Sequence, residues 1–135
     1  MNSNAPYVLM VEDDEDDRYI TQSTLNELGL DIVIKFLKKS DELISFISAN
    51  GEPSLVLLDY NCTPLNSIAV LKLMKQHLQY GHIPMIVLSE NVAEQQVKEC
   101  YRAGASSFVL KPTSINGTKN KIQTFFKYWL EVAEV

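Results

Sequence analysis

Two cysteines in 135 residues, Cys62 and Cys100, are too few and too scattered for a disulfide framework or a zinc site. No apolar run reaches the eighteen or so residues that a bilayer-spanning helix needs, and the polar start from Met1 to Pro6 lacks the hydrophobic stretch of a secretory signal. Basic residues form no stripe and do not interleave with aromatic ones, which argues against nucleic acid as a partner. These absences lead us to expect a soluble protein of a reducing cytoplasm, with neither membrane nor nucleic acid as a partner. A multidomain machine is excluded by length; we expect a single domain over residues 1–135, its core from about residue 6 to residue 133. A chain of that size buries roughly two thirds of the surface its unfolded form exposes, enough for one core without covalent or metal staples.

Charge is more informative when located than when summed. The net of −5 conceals six consecutive acids, Glu12, Asp13, Asp14, Glu15, Asp16 and Asp17, and outside that block the chain carries a net +1. The acidity is a local feature and calls for a cation partner.

Four apolar runs, Tyr7 to Val11, Leu55 to Leu58, Met85 to Leu88 and Phe108 to Leu110, read as strands buried on both faces. A fifth, Asp31 to Leu37, mixes the β-branched cluster Ile32, Val33 and Ile34 with charge, as suits a strand nearer an edge. Between and after them lie segments of helical period. The first, about Asp14 to Leu28, spaces Tyr19, Ile20, Leu25 and Leu28 on one side and stops at Gly29. The second starts at Ser40 as N-cap, packs Leu43, Ile44 and Ile47, and ends at Gly51. The third runs from about Asn66 with Ile68, Val70, Leu71 and Met74 inward; the fourth spans about Ala93 to Ala103, before Gly104. The fifth, about Asn116 to Val132, carries Ile122, Phe125, Phe126, Trp129 and Leu130, most simply as core. Strict alternation of strand and helix predicts an α/β fold, a doubly wound parallel sheet flanked by helices, whose working site forms beyond the carboxyl ends of the strands.

Those ends carry Glu12 and Asp13, then Asp59, Ser89 and Lys111. Adjacent first and third strands would bring the acids within several ångström, where two like charges at 4 Å repel by about 4 kcal/mol at an effective dielectric of 20. One lysine cannot neutralise three acids. A hard divalent cation bound by carboxylate oxygens and water can, and Mg²⁺ favours few protein ligands plus phosphate oxygens. With such a cation present a carboxylate can attack a phosphoryl group, and Asp59, which closes an apolar strand with no acid beside it, is the natural choice. Glu12 and Asp13 would hold the metal, Lys111 would meet the phosphoryl oxygens as a point charge, and Ser89 would offer its hydroxyl.

The segments YVLMVEDDEDD, LVLLDYN, PMIVLSEN and AGASSFVLKP, in that order and each at a strand end, resemble the receiver domain of two-component response regulators over nearly the whole chain. In layout the chain is similar to the family's single-domain chemotaxis regulators. The resemblance implies a flavodoxin-like sheet in the order 2-1-3-4-5 with five helices, and Asp59 as phosphoacceptor for a sensor histidine kinase or phosphotransfer protein. It implies a Mg²⁺ site of Glu12, Asp13, Asp59 and the main-chain carbonyl of Asn61. It further implies Ser89 and Phe108 as paired switch residues, a cis peptide before Pro112, and output through a downstream protein target. Catalysis would be limited to weak self-phosphorylation and self-dephosphorylation.

Some positions depart from the family pattern. Thr63 stands where a proline is usual, with Pro64 after it; Ser67 replaces a glycine; and Glu90 follows Ser89 where a small residue is common. Glu90 leads us to expect slow exchange with small phosphodonors. Asp14 to Asp17 read as a solvated helix start, His77 and His82 as surface residues, and Cys62 as a protected or merely exposed thiol rather than a nucleophile. Tyr101 and Tyr128 are candidates for a partner or homodimer surface. Two other functions stay open. One is a phosphatase resembling the haloacid dehalogenases, loosely suggested by DYNCTPL although Asn61 stands where a second acid is needed. The other is a receiver fold serving as an unphosphorylated interaction module.

Overall fold

In the computed structural model, which describes residues 6–27, 29, 31–111 and 119–133, the apolar runs form five strands: β1 (Val8–Val11), β2 (Ile34–Leu37), β3 (Leu55–Asp59), β4 (Met85–Ser89) and β5 (Ser107–Leu110). All neighbouring pairs are parallel and the order is β2-β1-β3-β4-β5. The helices are α1 (Glu15–Glu27), α2 (Leu43–Asn50), α3 (Ser67–Gln76), α4 (Glu94–Ala103) and α5 (Lys119–Lys127), the last running on into a π-helical turn, Tyr128–Val132. This is the flavodoxin-like doubly wound architecture expected from the alternation, with β2 at an edge.

The period of two along each strand divides the core. Leu9, Val11, Val56, Leu58, Met85 and Val87 point to one face and meet Leu43, Ile47, Val70, Leu71, Met74, Cys100 and Ala103 from α2, α3 and α4. Val8, Met10, Leu55, Leu57, Ile86 and Leu88 point to the other and meet Leu25 of α1 and Phe126 of α5. β1, β3 and β4 are buried throughout. β5 is only partly buried along its length, because it is the second edge of the sheet and has a strand on one side alone; this corrects the expectation of burial on both faces.

Two helix expectations also change. The buried stripe of α1 is Thr21 and Leu25, whereas Tyr19 and Ile20 are 73% and 40% exposed, so the helix is rotated from the phase that its apolar residues suggested. Ser40 does not cap α2: it opens a 3-10 turn, Ser40–Glu42, and its hydroxyl donates to Leu65 O at 2.7 Å and accepts from Leu65 N at 2.9 Å. Asn66 does cap α3, accepting from Ala69 N at 2.9 Å. Phe125 and Phe126 both reach the second core, meeting edge to face at 5.2 Å between ring centres, while Tyr101 and Tyr128 are exposed. The expected start of the fifth helix at Asn116 and the peptide before Pro112 lie outside the described residues. Among the described residues no helix is long and apolar enough to cross a membrane.

α4 ends at Gly104 with φ of +118°, and a Cβ built there would stand 3.2 Å from Lys75 Cγ. Gly104→Ala must therefore strain the backbone and crowd α3 at once. We expect a loss of more than about 1 kcal/mol, read as a lower urea midpoint at unchanged m value; an unmoved midpoint would contradict this account of the turn.

Candidate functional site

Parallel register delivers the polar residues to one rim. Val11 pairs with Leu58, so Glu12 follows β1 directly beside Asp59, the last residue of β3. Asp59 pairs with Leu88 and Ser89 with Leu110, which sets Ser89 one strand over and Lys111 just past β5. Backbone bonds fix these ends: Glu12 N donates to Leu37 O at 2.9 Å and Lys111 N to Ser89 O at 2.7 Å.

Glu12, Asp59, Ser89 and Lys111 are all buried at 2 to 7% exposure, and Asp13 is exposed at the mouth. Carboxylate oxygens of Glu12, Asp13 and Asp59 lie within 4.8 Å of one another. Lys111 Nζ stands 2.9 Å from Asp17 Oδ2, 3.0 Å from Glu12 Oε1 and 3.3 Å from Asp59 Oδ1. Asn61 is exposed, and its N–H donates to Asp59 Oδ1 at 3.3 Å, so its backbone lies against that carboxylate. Ser89 Oγ accepts from Asn91 N at 3.3 Å. The half-buried ring of Phe108 meets Tyr60 edge to face at 6.2 Å, and Phe108 N–H donates to the Tyr101 hydroxyl at 3.1 Å. Thus Glu12, Asp13, Asp59, Asn61, Ser89 and Lys111 gather at one rim, with Phe108 on the adjoining edge strand.

The residue that sequence reasoning missed is Asp17, assigned there to a solvated helix start. Asp14 does fill that role, its Oδ1 accepting from Asp16 N at 2.8 Å and Asp17 N at 3.1 Å. Asp17 instead turns inward and takes a directed hydrogen bond from Lys111. The signal was the i, i+4 spacing of Asp17, Thr21 and Leu25, the true inner stripe of α1. Ser40 was missed as well: it clamps the loop after Asp59 from across the sheet rim, its N–H donating to Thr63 O at 2.9 Å. In that loop the Thr63–Pro64 peptide is cis.

One ammonium shared among three carboxylates has unequal consequences. Burial works against the Lys111 charge, but the hydrogen bond to Asp17 and the close carboxylates of Glu12 and Asp59 outweigh it and hold the ammonium protonated well above its ordinary range. Each acid receives only part of that one charge. Glu12, the most deeply buried, is pushed up to about 7 by desolvation, with the nearby Asp59 charge adding to the rise, against the opposing pull of Lys111. Its Oε1 lacks a directed hydrogen bond despite lying near Lys111 Nζ. A buried, under-satisfied carboxylate oxygen within a three-carboxylate cluster is a donor set that fits a hard divalent cation.

The model of the response regulator receiver domain family matches residues 8–123. Response regulator Rcp1 of Synechocystis sp. is 28% identical over 136 residues, covering 96% of this chain and 92% of that protein. Among solved structures, a response regulator in red light signaling of R. palustris superposes with a TM-score of 0.87 at 22% identity, covering 96% of this chain and 97% of that one. The Mn²⁺-bound form of response regulator Rcp1 superposes with a TM-score of 0.82 at 24% identity, covering 97% and 99%.

Cys62 is buried three residues past Asp59, its thiol facing Leu65 O at 3.2 Å, and burial pushes it up to about 11. At pH 8 its thiolate fraction is then about one in a thousand, and burial also raises Cys100. A chromogenic disulfide reagent at pH 8 should label the native chain very slowly and both thiols quickly in denaturant; fast release of one equivalent from the native chain would show that the loop opens.

Proposed function

The chain belongs to the response regulator receiver family, a family of phosphorylation-type signalling switches, and from that premise we propose that Asp59 accepts a phosphoryl group in a Mg²⁺-dependent reaction. The observation that carries this reading is the meeting of three carboxylates from β1 and β3 with the Lys111 ammonium 3.3 Å from Asp59. The donor is a phosphohistidine of a sensor histidine kinase or phosphotransfer protein. A carboxylate oxygen of Asp59 forms the new bond to phosphorus as the bond from phosphorus to the donor nitrogen breaks. Asp59 reacts as a carboxylate, so no separate general base is required.

Glu12, Asp13, Asp59 and the main-chain carbonyl of Asn61 would hold the Mg²⁺, a reading supported by the Mn²⁺ bound in the structurally similar Rcp1. When bound, the metal neutralises carboxylate charge and offers positive charge to the phosphoryl oxygens. Lys111 offers its ammonium to another of those oxygens, and the Ser89 hydroxyl turns toward the product. With Ser89 drawn in, the Phe108 ring moves inward behind it. Phe108 has no hydroxyl to signal with, so burial of the ring alters the face of α4 and β5 where a downstream protein, or a second copy of this chain, docks. Such a switch takes up about one phosphoryl group per chain and releases it slowly, unlike a phosphatase, and residues 1–135 act as one receiver unit.

Intact mass after incubation with phosphoramidate and Mg²⁺ is the direct test. The native chain should gain one phosphoryl group and Asp59→Asn none; equal gain by both, or sustained turnover of a phosphatase substrate, would sink the reading. A second test follows from Glu12. Its folded value near 7 lies above the ordinary 4.5, so its proton competes with the cation below neutrality. Mg²⁺ affinity should be flat above pH 7 and fall by up to about tenfold per unit below it, with proton uptake on metal removal visible by calorimetry in buffers of different ionisation enthalpy. Affinity independent of pH between 5 and 8 would remove Glu12 from the metal site.

A further inference from the structure

Lys111 reaches three carboxylates, and they are not equivalent. Glu12 and Asp59 belong to the oxygen cluster that fits a cation; Asp17 does not. Asp17 makes the shortest of the three contacts, 2.9 Å, and does so as a directed hydrogen bond, whereas Glu12 Oε1 has none. It sits in the first turn of α1, where its own N–H is held by Asp14 and Asp14 N–H in turn donates to Glu12 Oε2 at 3.2 Å. Its side chain is 19% exposed and that of Lys111 8% exposed, so water competes little for the pair. A divalent cation among Glu12, Asp13 and Asp59 would draw on the negative charge of two of the lysine's three counterions and add like charge nearby. Asp17 is then the carboxylate left to keep the ammonium in place.

We propose that Asp17 is a positioning residue for Lys111: it anchors the ammonium from α1 so that the lysine keeps facing Asp59 while the other acids serve the cation. The proposal rests on the phosphoryl-accepting role given above to Asp59. Asp17 itself forms no bond to phosphorus and moves no proton; it acts only through the lysine.

The test is a double-mutant cycle with a second, phosphorylation-free readout. Asp17→Asn keeps the side-chain shape and removes the charge, and circular dichroism verifies the fold. At saturating Mg²⁺, phosphorylation by phosphoramidate should slow roughly ten- to a hundredfold in the native background, as expected for losing a charge-assisted bond that orients a reacting group. Added Mg²⁺ should not restore the rate, and Asp17→Glu, which keeps the charge, should recover much of it. In a Lys111→Met background the same Asp17→Asn change should cost less than about threefold, because its partner is gone. Equal losses in both backgrounds, or no loss in the native one, overturn the proposal. In the metal-free chain labelled with ¹⁵N-lysine, the Lys111 ammonium protons should exchange slowly in the native protein and much faster in Asp17→Asn; unchanged protection likewise overturns it. If the native chain gains no phosphoryl group on Asp59, the functional reading fails and takes the catalytic part of this proposal with it. The exchange comparison then decides by itself whether Asp17 holds the lysine.

Discussion

Four parts of the chain meet at one ammonium group. Lys111 enters from the end of β5, Glu12 from β1, Asp59 from β3 and Asp17 from α1, and the lysine is within ion-pair distance of all three acids. Lys111, Glu12 and Asp59 are buried, so their desolvation is costly, and mutual attraction offsets it together with the hydrogen bonds from Asp14 N–H to Glu12, from Asn61 N–H to Asp59 and from Lys111 to Asp17. The attraction is incomplete, since one positive charge faces three contacting acids with Asp13 at the mouth. The residual negative charge makes the rim a poor stabiliser and a good cation trap. Glu12 registers both its burial and the imbalance, since desolvation first and the Asp59 charge second push it up to about 7 against the pull of Lys111.

The sheet makes that congestion geometrically unavoidable. β1 and β3 are central and parallel, and register sets Glu12 beside Asp59 as firmly as it sets Val11 beside Leu58. Relief by a one-residue slip would turn each strand's two apolar faces over, exchanging the residues that meet α2, α3 and α4 with those that meet α1 and α5. Both core clusters oppose such a slip. The apolar core therefore holds like charges together that would separate in a looser fold, which is how folding energy becomes a binding site.

Legibility in the sequence followed the same division. Strands buried on both faces must be continuously apolar, so β1, β3 and β4 could be read directly, and the rule that sites form beyond carboxyl ends led to Glu12, Asp13, Asp59, Ser89 and Lys111. α1 misled because its inner stripe is polar where it approaches the site: Asp17 and Thr21 face inward while Tyr19 and Ile20 face water. A helix that contributes to a charged centre breaks the apolar periodicity by which helices are phased. Ser40 was illegible for another reason. Its partners, Thr63 and Leu65, lie more than twenty residues away, and no local pattern marks a hydroxyl that clamps a distant loop rather than a helix start.

Rigidity is graded across the sheet in a way that suits a switch. Asp59 lies on the central β3, buried on every residue, where little can move. Phe108 lies on β5, an edge strand partly exposed throughout, whose outer side is bonded to α4 through the Phe108 N–H and the Tyr101 hydroxyl. Segments with fewer buried contacts open at lower free energy than the core. The Asp59 end of β3 therefore has a rigid floor on one side and, toward β5, a more exposed edge on the other. Between the two stands Tyr60, next in sequence to Asp59 and edge-on to Phe108, so the chain itself connects the buried acid to a ring on the partly exposed edge strand.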